Sequence, residues 1–217
     1  MLVRRLFIEL YFSKTIKKMK TQQEEKYWTN RYNENLTGWD IGYPSTPLKE
    51  YIDQLENKDL KILIPGAGNA YEAEYLWDRG FKNVCVLDIS KTPLESLHKR
   101  IPEFPDEQLL QGDFFSHSGK YDLILEQTFF CSFLPTSKNR SAYAKKMDHL
   151  LAENGKLVGL WFNHPLHENS KRPFGGTKEE YLQYLNPYFN IYVFTQCYNS
   201  IKPRDGKELF GVFLKKV

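Results

Sequence analysis

The sequence predicts a single α/β domain in which a mostly parallel sheet carries helices on both faces. Short apolar segments alternate with helical segments between residues 46 and 185, and this alternation is typical of parallel strands joined by crossover helices. The last two apolar segments are joined through Asp205-Gly206 without a helix between them, so we expect them to pair antiparallel at one sheet edge. A length of 217 residues suits one domain better than two.

The elements follow from turn and capping signals as much as from apolar runs. Pro47 suits the first turn of a helix, Gly80 closes another helix, and Thr177 with Glu180 forms a capping-box pattern. The predicted order is a helix from Thr46-Pro47, strand Leu60–Ile64, helix Tyr71–Arg79, strand Val84–Ile89, helix Ser90–Arg100, strand Gln108–Leu110, strand Tyr121–Leu125, helix Arg140–Leu151, a turn at Asn154-Gly155, strand Lys156–Phe162, helix Thr177–Leu185, and strands Ile191–Tyr198 and Glu208–Phe213.

Composition excludes several classes of protein. Hydrophobic residues make up 41% of the chain, charged residues 26%, and the net charge is +3, which points away from a disordered chain or a nucleic-acid binder. The three cysteines lack paired spacing, so we expect no disulfide framework, no metal site and a cytoplasmic location. The apolar run Leu6–Phe12 is interrupted by Glu9 and is too short to span a membrane. We expect residues 1–20 to be a dispensable extension and residues 21–217 to form the domain.

Polar and glycine residues follow the predicted strands, where an open α/β sheet binds its ligands. The first strand ends in the turn Pro65-Gly66-Ala67-Gly68, and glycines allow backbone N–H groups to approach a ligand closely. Asp88 ends the second strand, 20 residues after Gly68, an offset at which an acidic residue hydrogen-bonds ribose hydroxyls. Tyr71 stands where a dinucleotide fingerprint begun at Gly66 needs a third small residue. A nucleoside without a pyrophosphate, such as S-adenosylmethionine, fits this pattern better.

A further strand end carries Gly112-Asp113-Phe114. The Asp113 carboxylate could accept a hydrogen bond from an adenine amino group, and Phe114 could face the base. The alternative interpretation is a turn with its phenylalanines in the core.

Three segments together resemble the thiopurine S-methyltransferase family, and most of all its thiol, thiocyanate and halide methyltransferase branch. They are Ile62–Gly68, Val86–Ser90 and Tyr121–Cys131. The resemblance runs from about Tyr27 to Lys215. It implies a Rossmann-like class I methyltransferase fold with seven strands, of which the last is antiparallel. It also implies S-adenosylmethionine as cofactor and an N-terminal segment, residues 21–45, that covers it.

The resemblance also implies roles for individual residues. The implied cofactor positions are Trp28, Tyr32, Trp39, Gly66, Gly68, Asp88, Asp113, Phe114 and Gln127. Two of them depart from the family pattern, because Tyr32 replaces a tryptophan and Gln127 stands where the halide branch has a tyrosine. Four candidates remain for positioning the acceptor: Arg140, Phe130, Phe174 and His164. An exposed helix arginine is the alternative interpretation of Arg140, and a surface loop that of His164.

The activity that this pattern favours is methyl transfer from S-adenosylmethionine to a small soft nucleophile, most of all a thiol. Such an acceptor needs alignment rather than a strong general base. The alternatives are a halide or thiocyanate methyltransferase, a nucleotide-dependent oxidoreductase and a non-catalytic protein that binds S-adenosylmethionine. A nucleic-acid methyltransferase would need a basic stripe. We expect a monomer with a small-molecule acceptor, and neither nucleic acid nor a membrane span.

Overall fold

The computed structural model describes residues 19–164 and 171–216. Residues 19–33 are helical and are called α1. The other helices are α2 (Thr46–Asp53), α3 (Tyr71–Asp78), α4 (Lys91–Arg100), α5 (Ser137–Leu150) and α6 (Lys178–Leu185). The strands are β1 (Ile62–Pro65), β2 (Val84–Asp88), β3 (Leu109–Gln111), β4 (Tyr121–Gln127), β5 (Leu151–Phe162), β6 (Phe189–Gln196) and β7 (Glu208–Lys215).

The strands form one seven-stranded sheet in the order β3-β2-β1-β4-β5-β7-β6. Strand β7 runs antiparallel to both β5 and β6, while β1 to β5 pair in parallel. The antiparallel pairing of the last two strands is therefore confirmed, with β7 inserted beside β5 and β6 at the edge. Strand order reverses between β1 and β4, and such a reversal opens a crevice at the carboxyl ends of the strands.

Each face of the sheet has its own apolar core. Leu123 and Leu125 of β4 pack on the side of α2, α3 and α4, whereas Ile124 packs on the side of α5 and α6. This alternation follows from the period of two in a strand. It also means that Glu126 and Gln127, at the end of β4, belong to opposite faces.

The capping signals are mostly realised. The Thr177 hydroxyl accepts the Glu180 N–H at 3.3 Å, and the Glu180 carboxylate accepts the Thr177 N–H at 2.7 Å, so the capping box is confirmed. Helix α2 begins at Thr46, and its N-cap is Ser45 rather than Thr46. Helix α5 begins at Ser137 rather than at Arg140. The reason is that Thr136 caps it by accepting the Asn139 N–H.

No described helix is long and apolar enough to cross a membrane, and the described residues hold no cluster suited to a metal ion. The cysteines Cys85, Cys131 and Cys197 are free thiols. The expected extension lies, up to residue 18, outside the described residues.

Candidate functional site

The glycine turn after β1 has an unusual backbone path. Gly66, Gly68 and Ala70 have φ of +58°, +55° and +56°, so left-handed residues occupy alternate positions. A side chain at Gly66 is excluded, because a Cβ built there would lie 1.9 Å from Cδ2 of Phe129. The turn therefore brings bare backbone to the crevice and lets the Phe129 ring pack directly on it.

Asp88 ends β2 beside this turn and is only 7% exposed. Its Oδ2 accepts the Gly68 N–H at 3.1 Å, and its Oδ1 accepts the Ser90 N–H at 2.9 Å. Burial raises the pKa of Asp88 to about 6, although these backbone N–H groups partly offset the increase. An ionised carboxylate has about four acceptor positions, so Asp88 retains capacity for a ligand's hydroxyl groups.

The three N-terminal aromatic residues gather above Gly68. The ring of Trp39 contacts Trp28 and Tyr32 edge-on at centroid distances of 5.4 and 5.6 Å. The Tyr32 hydroxyl and Trp39 Nε1 lie 3.4 and 3.8 Å from where a Cβ of Gly68 would be. Burial is the main cause that raises the pKa of the Tyr32 phenol, and the charge of Asp88 raises it further. Glycine turn, carboxylate and aromatic rings thus form a cradle at the rim of β1 and β2.

Asp113 and Phe114 are near this rim, but their side chains contact other residues than those of the cradle. The Gly112 N–H donates to the Asp88 carbonyl at 2.9 Å, which places the segment beside the cradle. The Asp113 carboxylate accepts the Phe115 N–H and the Ser116 hydroxyl at 3.1 and 2.9 Å. The Phe114 ring is buried among other aromatic rings. Neither residue lines the pocket at the glycine turn, whereas Trp39, Gly66, Gly68 and Gln127 do.

Sequence reasoning missed Glu72 in the wall of this pocket. Its Oε1 accepts the Ser45 N–H at 2.9 Å, and the Gln127 amide, oriented to satisfy both groups, donates to its two carboxylate oxygens at 2.7 and 3.1 Å. Burial raises the pKa of Glu72. The available signal was its place four residues before Leu76, on the same helix face. A carboxylate on the buried face of a helix needs partners.

Thr128 was also missed. It follows β4, lines the pocket and has a φ of +53°. A β-branched residue in this region is strained, and such strain clusters at functional sites. No sequence pattern predicts this strain, because it depends on the backbone conformation between β4 and the next turn.

Arg140 is buried rather than exposed, with 3% of its surface accessible. Its Nη2 donates to the Gly175 carbonyl at 2.7 Å, and its guanidinium lies 4.7 Å from the centroid of the Phe130 ring. Nε and Nη1 have no hydrogen-bond partner among the described residues. Burial lowers the pKa of Arg140. The alternative of a solvated helix arginine is therefore wrong.

The remaining acceptor candidates lie around Arg140. The Phe174 N–H donates to the Cys131 carbonyl at 2.9 Å, which ties this segment to the turn after β4. The His164 ring packs on Gly175, where a Cβ would come within 2.3 Å of it. Cys131 itself is buried, which raises the pKa of its thiol, so it remains protonated as a structural residue. The structure thus gathers all four acceptor candidates beyond the ends of β4 and β5, beside the cradle.

The match to a protein family covers residues 23–216 under the description thiopurine S-methyltransferase. The chain belongs to this family. A probable thiol methyltransferase 2 of Arabidopsis thaliana is 30% identical over 87% of this chain and 84% of that protein. A thiocyanate methyltransferase 1 of Brassica oleracea is 28% identical over 88% of this chain and 86% of that protein.

Solved structures show the same fold. A TehB-like S-adenosylmethionine-dependent methyltransferase from Corynebacterium glutamicum is 19% identical, with a TM-score of 0.58 over 92% of this chain and all of that chain. The glycopeptide N-methyltransferase MtfA, complexed with S-adenosylhomocysteine, is 13% identical, with a TM-score of 0.62 over 81% of this chain and 91% of that chain. These likenesses confirm the expected fold class. Family membership confirms the expected enzyme class and cofactor, an S-adenosylmethionine-dependent methyltransferase.

Proposed function

We propose that the protein methylates the sulfur of a small thiol. The observation that carries this proposal is the buried Arg140 guanidinium, whose Nε and Nη1 have no hydrogen-bond partner among the described residues and whose Nη2 donates to a neutral carbonyl. A buried cation whose N–H groups lack partners is costly, and the charge of Glu180 only partly offsets the effect of burial on the pKa of Arg140. A thiolate would offset this cost, and the aromatic rings around Arg140 suit a soft, weakly hydrated anion. A relative named as a thiol methyltransferase supports the same acceptor class.

The cradle fits the cofactor. We assign to Asp88 the role of accepting from the ribose hydroxyls, and its place beside the glycine turn supports this. The turn leaves room that a Cβ at Gly68 would fill. Tyr32 and Trp39 close the cradle from above, where aromatic faces favour a sulfonium by roughly 0.5 to 2 kcal/mol. We assign Trp28 a supporting role behind Trp39. Asp113 and Phe114 follow Gly112, which is bonded to Asp88, and we assign them a role near the adenine, on the Asp88 side of the cradle.

The chain's own residues mainly align and desolvate the reactants. Bound S-adenosylmethionine supplies an electrophilic methyl group on a sulfonium. Holding the acceptor sulfur in line with that methyl group can lower the barrier by several kcal/mol. Arg140 favours the thiolate over the thiol by its charge, so the acceptor needs no strong general base. The four acceptor candidates, Arg140, Phe130, Phe174 and His164, are called the acceptor wall. Phe129 packs on Gly66 of the cradle and precedes Phe130 of the acceptor wall, so we assign it a role in limiting the entry of water between them.

The test is a methyl-transfer screen with labelled cofactor across aliphatic and aromatic thiols, thiopurines, hydrogen sulfide, thiocyanate and halides, with phenols and amines as oxygen and nitrogen acceptors. We expect transfer to at least one soft sulfur compound and none to oxygen acceptors. Arg140→Met should raise the KM for the acceptor while the affinity for S-adenosylhomocysteine stays the same. Activity confined to oxygen or nitrogen acceptors would refute the proposal.

Thiocyanate is a second candidate acceptor. It is an anion at neutral pH, so the same positive charge at Arg140 favours it, and a relative is named as a thiocyanate methyltransferase. The pH dependence separates the two cases. The rate with a thiol should rise with pH as the thiol ionises, whereas the rate with thiocyanate should not follow that ionisation.

We further propose that residues 21–45 form the cofactor cover and that residues 1–20 are dispensable. Thr29 of α1 supports this division, since its hydroxyl lies 2.9 Å from that of Ser90 at the end of β2. The free cysteines support a cytoplasmic location. Removal of residues 1–20 should leave kcat/KM within about twofold, and a large loss would contradict the proposed boundary.

A further inference from the structure

Arg172 joins three parts of the molecule that are far apart in sequence. Its Nη2 lies 3.0 Å from both carboxylate oxygens of Glu24 in α1. Its Nε donates to the Ser132 carbonyl, in the turn after β4, at 2.5 Å. Its guanidinium lies 4.9 Å from the Tyr27 ring and 5.4 Å from the Trp28 ring. The side chain is 22% exposed, so these contacts are only partly screened by water.

One side of this junction leads to the cofactor cradle. Trp28 contacts Trp39 edge-on at 5.4 Å, and Trp39 closes over Gly68. The position of the Trp39 ring therefore depends on that of α1, because Trp28 of α1 packs against it. A shift of α1 would loosen the ring next to the glycine turn.

The other side leads to the acceptor wall. Arg172 precedes Pro173 and Phe174, and the Phe174 N–H is bonded to Cys131 next to Ser132. Gly175, the following residue, accepts from Arg140. The segment that contains Arg172 therefore also holds the Arg140 guanidinium, which we assign to acceptor binding.

We propose that Arg172 is a positioning residue that ties the cofactor cover to the acceptor wall, so that cofactor and acceptor each strengthen the binding of the other. This inference rests on the proposed function. The physical basis is that cofactor and acceptor would both favour the same arrangement. In that arrangement Arg172 holds α1 against the turn after β4. If docking is incomplete without ligands, each ligand raises the docked fraction and with it the affinity for the other. The coupling must be equal in both directions.

The experiment measures the affinity of the full chain for S-adenosylhomocysteine with and without thiophenol. No methyl donor is present, so no reaction can occur. Hydrogen exchange of residues 19–33 is recorded in parallel. In the natural protein, thiophenol should increase the affinity for S-adenosylhomocysteine about fivefold or more. In Arg172→Met that increase should vanish, the affinity should fall about tenfold, and residues 19–33 should exchange faster.

Two variants separate positioning from general stability. Arg172→Lys keeps the charge but cannot reach Glu24, Ser132 and the rings together, so part of the coupling should return. Arg79→Met is the matched control, because Arg79 likewise meets a carboxylate, that of Asp53 at 3.0 Å, and a tyrosine ring at 5.0 Å, but at the far end of α3. It should leave the affinity and the coupling unchanged.

The outcomes are distinguishable. If the natural protein binds S-adenosylhomocysteine but does not methylate thiophenol when S-adenosylmethionine is supplied, the proposed function fails for this thiol. If it methylates thiophenol, and thiophenol has no effect on the affinity for S-adenosylhomocysteine, or Arg172→Met retains both affinity and coupling, the inference about Arg172 is wrong. An equal loss in Arg79→Met would likewise contradict it, because a general loss of stability would then explain the effect.

Discussion

Asparagine in place of Asp88 should remove most of the affinity for the cofactor. The carboxylate accepts backbone N–H groups of Gly68 and Ser90 at 3.1 and 2.9 Å. An asparagine supplies only one oxygen, so its amide nitrogen must face one of these donors. Hydrogen bonds to a charged group contribute about 1.5 to 3 kcal/mol each. Loss of one such bond to the ribose corresponds to a decrease in affinity of roughly 10- to 150-fold.

Calorimetric titration with S-adenosylhomocysteine at pH 7.5 measures this change. At that pH the natural carboxyl group is mostly ionised, since the pKa of Asp88 is about 6. Thermal unfolding of the free proteins, measured alongside, reports the loss of stability separately. Leaving one buried N–H without an acceptor should cost about 1 to 3 kcal/mol.

Asp122→Asn is the matched control. The Asp122 carboxylate also accepts a backbone N–H, that of Lys61 at 2.8 Å, but at the start of β4 and hence at the opposite edge of the sheet. This variant should bind S-adenosylhomocysteine normally. The reasoning is refuted if Asp88→Asn folds and binds within twofold of the natural protein, or if both variants lose affinity equally.

Three further predictions concern buried or strained positions near the site. Burial raises the pKa of Glu126 to about 8, so the native state keeps a proton that the unfolded state releases near pH 4.5. Stability should therefore fall between about pH 5 and pH 8, by at most about 1.4 kcal/mol per pH unit, and urea unfolding of Glu126→Gln should show a flatter profile; equal profiles would contradict this. Thr128→Gly should raise the free energy of unfolding by about 1 kcal/mol by relieving a φ of +53°, and a decrease would show that no strain is present. Gly66→Ala should destabilise the protein by about 1 to 3 kcal/mol more than Gly206→Ala, because both glycines have positive φ but only Gly66 has Phe129 within 1.9 Å of the added Cβ. Equal losses in chemical denaturation would contradict the close contact.

Local signals in the sequence were sufficient for the order of the elements from α2 onwards, but α1, residues 19–33, was not predicted. The predicted turn at Asn154-Gly155 was wrong, because both residues lie within β5. The capping box at Thr177 and the glycine turn at Gly66 depend on neighbouring residues, and both appear where they were expected. Strand β2 ends at Asp88, one residue before the predicted end at Ile89. The antiparallel pairing of β6 and β7 followed from the lack of a helix between them.

Contacts between distant segments were not predictable in this way. Glu72 and Gln127 meet because α3 packs on one face of β4. The burial of Arg140 depends on Gly175, 35 residues later, and the contact between Arg172 and Glu24 spans 148 residues. No local pattern encodes which of these side chains become neighbours.

The sequence by itself determined the fold class, the glycine turn and the acidic residue that follows it, because each depends on short-range backbone preferences and on a fixed apolar period. The tertiary structure alone decided which charges are buried, where Arg140 and Arg172 find their partners, and which aromatic rings close over Gly68. The physical reason is that burial and long-range pairing depend on how the helices pack on the finished sheet. Those packing contacts, more than the motifs, set the surroundings in which an acceptor would bind.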